Sequence, residues 1–342
     1  MRALASGAAA FSVGLATLAV TLFGLLLVTF FIGRVMPIDP VVAAIGDKAS
    51  QETYVRAREE LGLDRPLPVQ FARYVESIAK GDLGTSSVSR RPVAEDIRRV
   101  FPATLELSTL GILIGVGVGV PLGVLAAHKR NRWPDHVIRS LSLIGYSTPV
   151  FWLGLIGLLV FYAQLGWVSG PGRISNAYRY TIDEWSGLML VDTLRSGDWD
   201  AFRSAVSHIT LPALLLGYFS LAYIGRMTRS FMIEELGKEY VTTARMKGAS
   251  EAQVLWRHAL PNVLVPIVTI VALSFGYLLE GTVLVETVFA WPGLGLYITN
   301  SLFSADMPAV LGGTLVAGIC FVLLNKLAEI AYPVLDPRTR AR

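Results

Sequence analysis

The sequence is poor in charge and in cysteine. Only 16% of its 342 residues are charged, and Cys320, the single cysteine, lies inside an apolar segment. One cysteine excludes an intrachain disulfide and a zinc site built from several cysteines. A phosphate-binding loop of the form G-x-x-x-x-G-K-[S/T] is also absent, and no His-Glu-x-x-His motif appears. We therefore expect no catalytic residue, no metal ligand and no cofactor bound by this chain.

Positive charge is not distributed as in a nucleic-acid-binding protein. The net charge is +4, and the basic residues cluster in short loops. A groove for nucleic acid would instead interleave basic residues with exposed aromatic residues. We expect no nucleic-acid partner.

Apolar residues, in contrast, dominate the chain. Hydrophobic residues make up 53% of the sequence, and the mean hydropathy is +0.54. A transmembrane helix needs about 20 mostly apolar residues, and six runs qualify: residues 10–32, 103–127, 140–165, 208–227, 262–284 and 309–332. The first run is too long for a signal peptide, and no small-x-small cleavage site follows it. The sequence predicts an all-α integral membrane protein with six transmembrane helices in a lipid bilayer.

Basic residues predict the topology. They lie in the loop 129–132, in the segment 226–257 and in the tail 338–342. Loops rich in Lys and Arg stay on the cytoplasmic side of a membrane. Residues 285–308 contain neither Lys nor Arg, as expected of an outer loop. Both termini are therefore predicted to be cytoplasmic.

The pattern of spans divides the chain into three parts. Residues 1–33 are predicted to form the first transmembrane helix, residues 34–101 a cap on the outer face, and residues 102–342 a core with five transmembrane helices. The cap is long and rich in charge of both signs, so we expect it to fold in water as a small helical domain. The second outer loop, residues 166–207, follows no clear period, and its sequence predicts no fold.

Capping residues divide the predicted cap into helices. Ser50 can cap a helix that Gly62 ends, and Pro68 can open a second helix that ends at Gly81. Pro92 then begins an amphipathic turn that leads to the second span. This turn places three apolar residues on one side: Val93, Ile97 and Val100.

The predicted inner loop 230–262 carries the strongest functional signal. Gly248 suits the end of a helix after Lys247, and Ser250 with Gln253 forms a capping box that starts another helix. Two short helices thus meet at a fixed elbow, which can transmit force between a soluble partner and the adjacent spans. The alternatives are a helix that rests on the membrane interface and a DNA-reading helix-turn-helix, which two flanking spans disfavour.

The same segment resembles the EAA loop of binding-protein-dependent ABC importer permeases. It reads Thr242-Thr-Ala, three residues, Gly248, nine residues and His258-Ala-Leu-Pro261, where the family pattern is EAA, three residues, Gly, nine residues and I-x-L-P. The chain departs from this pattern at Thr242, Thr243 and His258. The resemblance implies that the loop docks into an ATP-binding subunit through ten residues: Thr242, Thr243, Ala244, Lys247, Gly248, Ser250, Glu251, His258, Leu260 and Pro261.

Further motifs resemble the B-type permeases of dipeptide and oligopeptide importers. They are Pro37-Ile-Asp-Pro40, Leu61-Gly-Leu-Asp-Arg-Pro66, Gly81-Asp-Leu-Gly-Thr-Ser86, Pro102-Ala-Thr-Leu-Glu-Leu107, Glu286-Thr-Val-Phe-Ala-Trp-Pro-Gly-Leu-Gly295 and Leu335-Asp-Pro-Arg338. Ile38 stands where that family usually has Gly. The resemblance implies a type I ABC importer permease fold in the bacterial inner membrane, and a peptide as substrate.

The same resemblance implies an assembly. Its other members would be a second homologous permease of the C-type, two ATP-binding subunits that use the ATP, and an extracytoplasmic substrate-binding protein. Nickel-chelate, glutathione and opine permeases share these motifs and remain alternatives. A secondary transporter that works without ATP is an alternative from another class.

Two regions are candidates for the substrate pathway. Glu280 lies near the outer end of span five, and an ionisable group inside a membrane usually faces a pathway; it could instead reach the outer interface. The loop 285–308 resembles a segment that dips into the translocation mouth, although an ordinary outer turn is the alternative. Its candidate pathway residues are Trp291, Gly293, Gly295 and Asp306. Glu106, near the outer end of span two, is expected to reach the interface.

Overall fold

A computed structural model describes the backbone of residues 2–35, 41–42, 46, 49–60 and 62–335. Within these ranges it describes every side chain except those of residues 2–15, 34–35, 60, 280–281 and 328–335. The described chain is helical and contains no β-strand. The motif 37–40, the last three residues of the motif 335–338 and the basic tail 338–342 lie outside the described residues.

Thirteen α-helical segments and two π-helical turns follow one another along the described chain. They are α1 (Arg2–Val35), α2 (Gln51–Glu60), α3 (Leu67–Ala79), α4 (Val93–His128), α5 (Trp133–Ser147), α6 (Val150–Gly157) with the π-helical turn Leu158–Gln164, α7 (Met189–Ser196), α8 (Trp199–Leu236), α9 (Glu239–Met246), α10 (Glu251–Gln253) with the π-helical turn Val254–Ala259, α11 (Leu260–Val288), α12 (Leu294–Phe303) and α13 (Met307–Leu335).

Five of the described helices are long and apolar enough to cross a membrane. They lie in α1, α4, α8, the continuous segment from α10 to α11, and α13. A sixth span arises if α5 and α6 with its π-helical turn are counted as one, although they bend by 102° at the junction. All-helical architecture is confirmed, and the chain is a multi-pass membrane protein.

The third span is not the straight run 140–165 that hydropathy predicts. Its first helix begins earlier, at Trp133, and ends at Ser147. Thr148 is extended, with φ −96° and ψ 132°, because the ring of Pro149 disfavours helical backbone in the residue before it. Pro149 is the N-cap residue of α6. The bend between α5 and α6 therefore lies at this proline.

The described chain forms two compact units. The first contains residues Met1–Phe101 and Leu294–Val322, and the second contains Pro102–Gly293 and Leu323–Arg342. The boundary after Phe101 coincides with the predicted end of the cap. Residues 294–322 group with the N-terminal unit, which differs from the predicted three-part division.

Two predicted helices of the cap are confirmed within the first unit. The hydroxyl of Ser50 accepts a hydrogen bond from the backbone N–H of Thr53 at 3.2 Å, and Gly62 follows α2 with φ +64°. Gly81 adopts φ +79° after α3. Glycine adopts positive φ without steric cost, so both glycines end their helices as expected.

The predicted amphipathic turn is part of a longer helix. Val93 and Ile97 are buried and pack with Leu294 and Ala309, which confirms the apolar side. The helix that begins at Val93 continues without interruption to His128 and includes Pro102. The turn and the second span are therefore one helix of 36 residues, and not two elements as expected.

Glycines spaced four residues apart join α4 to α8 in the second unit. A Cβ atom on Gly115 would lie 2.5 Å from Cβ of Ser220, and one on Gly123 would lie 2.6 Å from the carbonyl oxygen of Gly225. Gly111 and Gly119 make similar contacts with α8. Small residues at this spacing let two membrane helices approach closely and gain dispersion contacts.

The loop 166–207 is held to α4 by a buried ion pair. Glu106 accepts a hydrogen bond from Nη2 of Arg173 at 2.5 Å and from the backbone N–H of Leu190 at 2.7 Å. Only 7% of Glu106 is exposed. The expectation that Glu106 reaches the membrane interface is wrong, because Arg173 of the loop 166–207 covers its carboxylate.

Candidate functional site

The predicted elbow is present after α9. Gly248 adopts φ +86°, and its backbone N–H bonds to the carbonyl of Arg245 at 3.0 Å. The N–H of Ala249 bonds to the carbonyl of Ala244 at 3.1 Å. This pair of bonds is the Schellman motif, which ends a helix with a left-handed residue. A Cβ on Gly248 would meet open space, so the backbone conformation alone requires glycine.

The predicted capping box is also confirmed. The hydroxyl of Ser250 accepts from the N–H of Gln253 at 3.3 Å, and the N–H of Ser250 donates to Oε1 of Gln253 at 2.9 Å. Together with Gly248, this box leaves Ala249 as the only residue between the two caps. The elbow is therefore short and hydrogen-bonded on both sides.

The second arm of the elbow is not a separate short helix, as expected, but the start of the fifth span. α10 passes through the π-helical turn Val254–Ala259 directly into α11. A proline ring clashes with the carbonyl four residues earlier in a regular α-helix, and the widened turn immediately precedes Leu260 and Pro261. The elbow is thus continuous with α11.

A hydrogen-bonded cluster that the sequence analysis missed joins three helices beside the elbow. The hydroxyl of Tyr240 donates to Oε1 of Glu235 at 2.7 Å and accepts from Nδ2 of Asn262 at 2.9 Å. Nζ of Lys238 bonds to Oε2 of Glu235 at 2.6 Å. Burial and the hydrogen bond to Glu235 raise the pKa of Tyr240 to about 12. The phenol therefore keeps its proton and donates at neutral pH.

This cluster had no sequence signal strong enough to predict it. Glu235 is the last but one residue of α8, Tyr240 lies in α9 and Asn262 lies in α11, so no helical period relates these three residues. Glu235 is only 5% exposed, although Glu234 precedes it and the segment has the composition of a polar surface. We name Glu235, Lys238, Tyr240 and Asn262 the elbow cluster.

Charged residues at the elbow pair within the chain. Nε of Arg245 lies 2.9 Å from Oε1 of Glu251, and Nδ1 of His128 lies 3.6 Å from Oε2 of Glu251. Both members of the first pair are about half exposed. The pair bridges the two arms across Gly248 and adds charge-assisted hydrogen bonds to the bend.

The remaining predicted loop residues surround an open surface. Thr242, Thr243 and Lys247 are exposed, and a shallow pocket of about 380 Å³ lies beside them, lined in part by Ala244 and His258. Among the described residues, no group of His, Cys, Asp or Glu is placed to hold a metal ion. Four of the ten predicted docking residues line this pocket: Thr243, Ala244, Lys247 and His258. The docking role of all ten stays a prediction.

Two of the predicted pathway residues make buried contacts in the second unit. Trp291 is 1% exposed, and its indole N–H donates to the carbonyl of Ala103 at 2.9 Å. A Cβ on Gly293 would lie 2.5 Å from the hydroxyl oxygen of Thr104, which itself donates to Oε1 of the buried Glu286 at 2.6 Å. The close approach of these side chains requires glycine at 293.

The other two described pathway residues lie in the first unit. Asp306 is 1% exposed, and its carboxylate accepts from the hydroxyl of Ser86 and from the N–H groups of Ser87 and Val88. Gly295 is buried in α12. Glu280 belongs to α11, but its side chain lies outside the described part of the chain. The pathway roles of these five residues stay predictions.

Comparison with known proteins identifies the chain at the level of family. The model of the family "Binding-protein-dependent transport system inner membrane component" matches residues 119–341. A second model, for the N-terminal part of the membrane component of such systems, matches residues 13–108.

Curated relatives align over nearly the whole chain. The probable D,D-dipeptide transport system permease protein DdpB of Escherichia coli K12 is 42% identical, over 92% of both chains. The di/tripeptide transport system permease protein DppB of Pseudomonas aeruginosa is 42% identical, over 94% of this chain and 95% of that protein. The dipeptide transport system permease protein DppB of Escherichia coli K12 is 41% identical with the same coverage. The chain therefore belongs to the family of inner membrane components of binding-protein-dependent transport systems, the ABC importer permeases.

Proposed function

We propose that this chain is the B-type permease subunit of an ATP-driven peptide importer in the bacterial inner membrane. The observation that carries the proposal is the elbow around Gly248, which is capped on both sides and hydrogen-bonded to the ends of two spans. Relatives at 41–42% identity are named as permeases for dipeptides or tripeptides, which supports peptide as the substrate class.

In the assembly that we propose, the chain has five kinds of partner: a second permease, ATP-binding subunits, a binding protein, the peptide and lipid. A second, C-type permease would complete the translocation pathway, and two ATP-binding subunits would bind the cytoplasmic loops. An extracytoplasmic binding protein would deliver the peptide, and lipid would surround the spans. The basic loops 129–132 and 226–257 support a cytoplasmic position for the elbow and for both termini.

In the mechanism that we propose, the elbow transmits motion as a rigid body. ATP binding draws the ATP-binding subunits together, and the exposed side of α9 follows them. Because the elbow cluster ties α9 to α8 and α11, a displacement of α9 moves both spans with it. The pathway would then alternate between an inward-facing and an outward-facing state.

The chain itself performs no catalysis in this proposal. ATP is bound and hydrolysed by the partner subunits, and the chain binds no metal, cofactor or nucleic acid. The alternatives within the family are permeases for nickel chelates, glutathione or opines. The alternative from another class is a secondary transporter driven by an ion gradient.

Reconstitution in proteoliposomes tests the proposal. The complete importer should accumulate a radiolabelled dipeptide only when ATP and the binding protein are both present. Vesicles without the ATP-binding subunits should accumulate none. Dipeptide uptake by this chain alone under an ion gradient would contradict the proposal, and ATP-driven uptake of a nickel chelate in preference to a dipeptide would favour the alternative.

A further inference from the structure

An open cavity of about 560 Å³ lies between α5 and α8 in the second unit. Four of its lining residues are basic: His136, Arg139, Arg226 and Arg229. No Asp or Glu lines it. The cavity therefore presents several hydrogen-bond donors and a net positive charge to whatever enters it.

One of the four basic residues is already neutralised. Nε and Nη2 of Arg229 bond to the two carboxylate oxygens of Asp135 at 2.6 and 2.8 Å, and Asp135 is fully buried. Neither Arg139 nor Arg226 forms an ion pair with a carboxylate in the part of the chain that the structure describes. Arg139 interacts electrostatically with Asp135 from beyond ion-pair distance, so Arg226 carries the charge that is most available to the cavity.

Arg226 is held in place by aromatic rings. Its Cζ lies 5.1 Å from the ring centre of Tyr146 and 5.8 Å from that of Tyr223. A guanidinium group that stacks on aromatic rings uses its face and leaves the N–H groups at its edge free to bind an anion. Carboxylate is the anion whose two oxygens match this edge in a bidentate pair.

A second cavity adjoins the first along α8. Its volume is about 490 Å³, and Tyr146 lines both cavities. Its wall combines apolar side chains with the hydroxyl groups of five residues: Tyr146, Ser220, Tyr223, Ser274 and Tyr277. Apolar walls with a few polar groups suit a small ligand of mixed polarity, and a short peptide has this character. An acyl chain would gain nothing from the hydroxyl groups.

We propose that Arg226 and Arg139 form a binding site for the free carboxylate of the transported peptide. The proposal rests on the proposed function and assigns to this chain a binding site for the transported substrate. The carboxylate binds at the edge of the Arg226 guanidinium, with Arg139 on the opposite wall. The body of the peptide lies along Tyr146 and Tyr223 in the adjoining cavity.

The test compares two substrates in the complete importer, reconstituted in vesicles of neutral phosphatidylcholine. The substrates are a dipeptide with a free C-terminal carboxylate and the same dipeptide as its C-terminal amide, each at a concentration that saturates the binding protein. R226Q should lower the ratio of acid to amide uptake by about tenfold, as expected for one lost charge-assisted bidentate pair. R226K, which keeps the charge, should lower this ratio less. R203Q, an exposed arginine near the outer end of α8, should leave the ratio unchanged.

Three results would overturn the proposal. An unchanged acid-to-amide ratio in R226Q, with peptide uptake by the wild type, would exclude carboxylate recognition while leaving the proposed function intact. An effect of R226Q that appears only in vesicles with anionic phospholipid would assign the cavity to a lipid phosphate. Loss of assembly with the second permease in R226Q would assign Arg226 to the subunit interface. If the wild-type importer takes up no dipeptide, the proposed function fails, and the inference with it.

Discussion

The phenolic oxygen of Tyr240 lies 2.7 Å from Oε1 of Glu235 and joins the end of α8 to α9. Glu235 is 5% exposed, and a buried carboxylate requires hydrogen-bond donors to offset its lost hydration. Tyr240 and Lys238 supply these donors on the two oxygens. α9 is therefore fixed to the C-terminal end of α8.

Removing the hydroxyl should loosen the elbow without unfolding it. We expect Y240F to reduce the number of peptides imported per ATP hydrolysed by about fivefold, because a hydrogen bond of about 1 kcal/mol or more to a charged group is lost. Uptake and ATP hydrolysis measured in the same vesicles check this ratio. Y180F is the control, since Tyr180 is 89% exposed, and an equal fall in both variants would contradict the role of the elbow cluster.

The effect of a substitution at Gly248 should depend on how readily the new residue adopts positive φ, and not on the size of its side chain. We expect G248V to lower uptake by about tenfold or more while the subunit remains inserted, because left-handed backbone costs a β-branched residue about 1–3 kcal/mol. Asn adopts this conformation more readily, so G248N should retain more transport. Equal loss in both variants would show that contact with a partner, and not φ +86°, sets the requirement for glycine.

The buried pair between Asp135 and Arg229 should matter for stability. D135N leaves the guanidinium of Arg229 without its carboxylate, and breaking a buried pair costs about 3–5 kcal/mol. The side chains are 0% and 20% exposed. We expect a lower unfolding temperature of the purified subunit in detergent. E52Q removes the pair between Arg56 and Glu52 and should change little, because that pair is more than 70% exposed.

The glycines of α4 offer a matched comparison on one helix. A Cβ on Gly123 would lie 2.6 Å from a backbone oxygen of α8, whereas a Cβ on Gly117 would meet nothing within 4 Å. We expect G123A to destabilise the subunit by about 1–3 kcal/mol through overpacking. G117A should be neutral or slightly stabilising, because alanine favours helix over glycine. The unfolding temperatures of the two variants test this expectation. Equal values would exclude close packing at Gly123.

Local signals predicted local structure well. Gly62, Gly81 and Gly248 end helices with positive φ, and Ser50 and Ser250 cap the helices that follow them. Each of these features depends on a few neighbouring residues, so the sequence contains all that is needed. Hydropathy likewise located the long spans, because the bilayer requires about 20 apolar residues wherever a helix crosses it.

Helix continuity was predicted less well. Pro102 reads as a boundary, yet it lies inside α4, and Pro149 lies inside an apolar run, yet it bends the third span. A proline in a membrane helix ends, bends or merely interrupts hydrogen bonding according to what packs around it. Sequence position alone does not distinguish these outcomes.

The amino-acid sequence by itself determined the membrane setting, the capped elbow at Gly248 and the family, because these follow from composition and from patterns of adjacent residues. Only the tertiary structure decided which charges are paired: Glu106 with Arg173, Asp135 with Arg229, and Glu235 with Tyr240 and Lys238. In the first two groups the partners lie on distant segments, so neither hydropathy nor helical period relates them. In the third group Lys238 follows Glu235 by three residues, but it is the turn between α8 and α9 that brings Tyr240 to the same carboxylate. The packing of α5 against α8 places Arg226 over the rings of Tyr146 and Tyr223 and in the lining of a cavity.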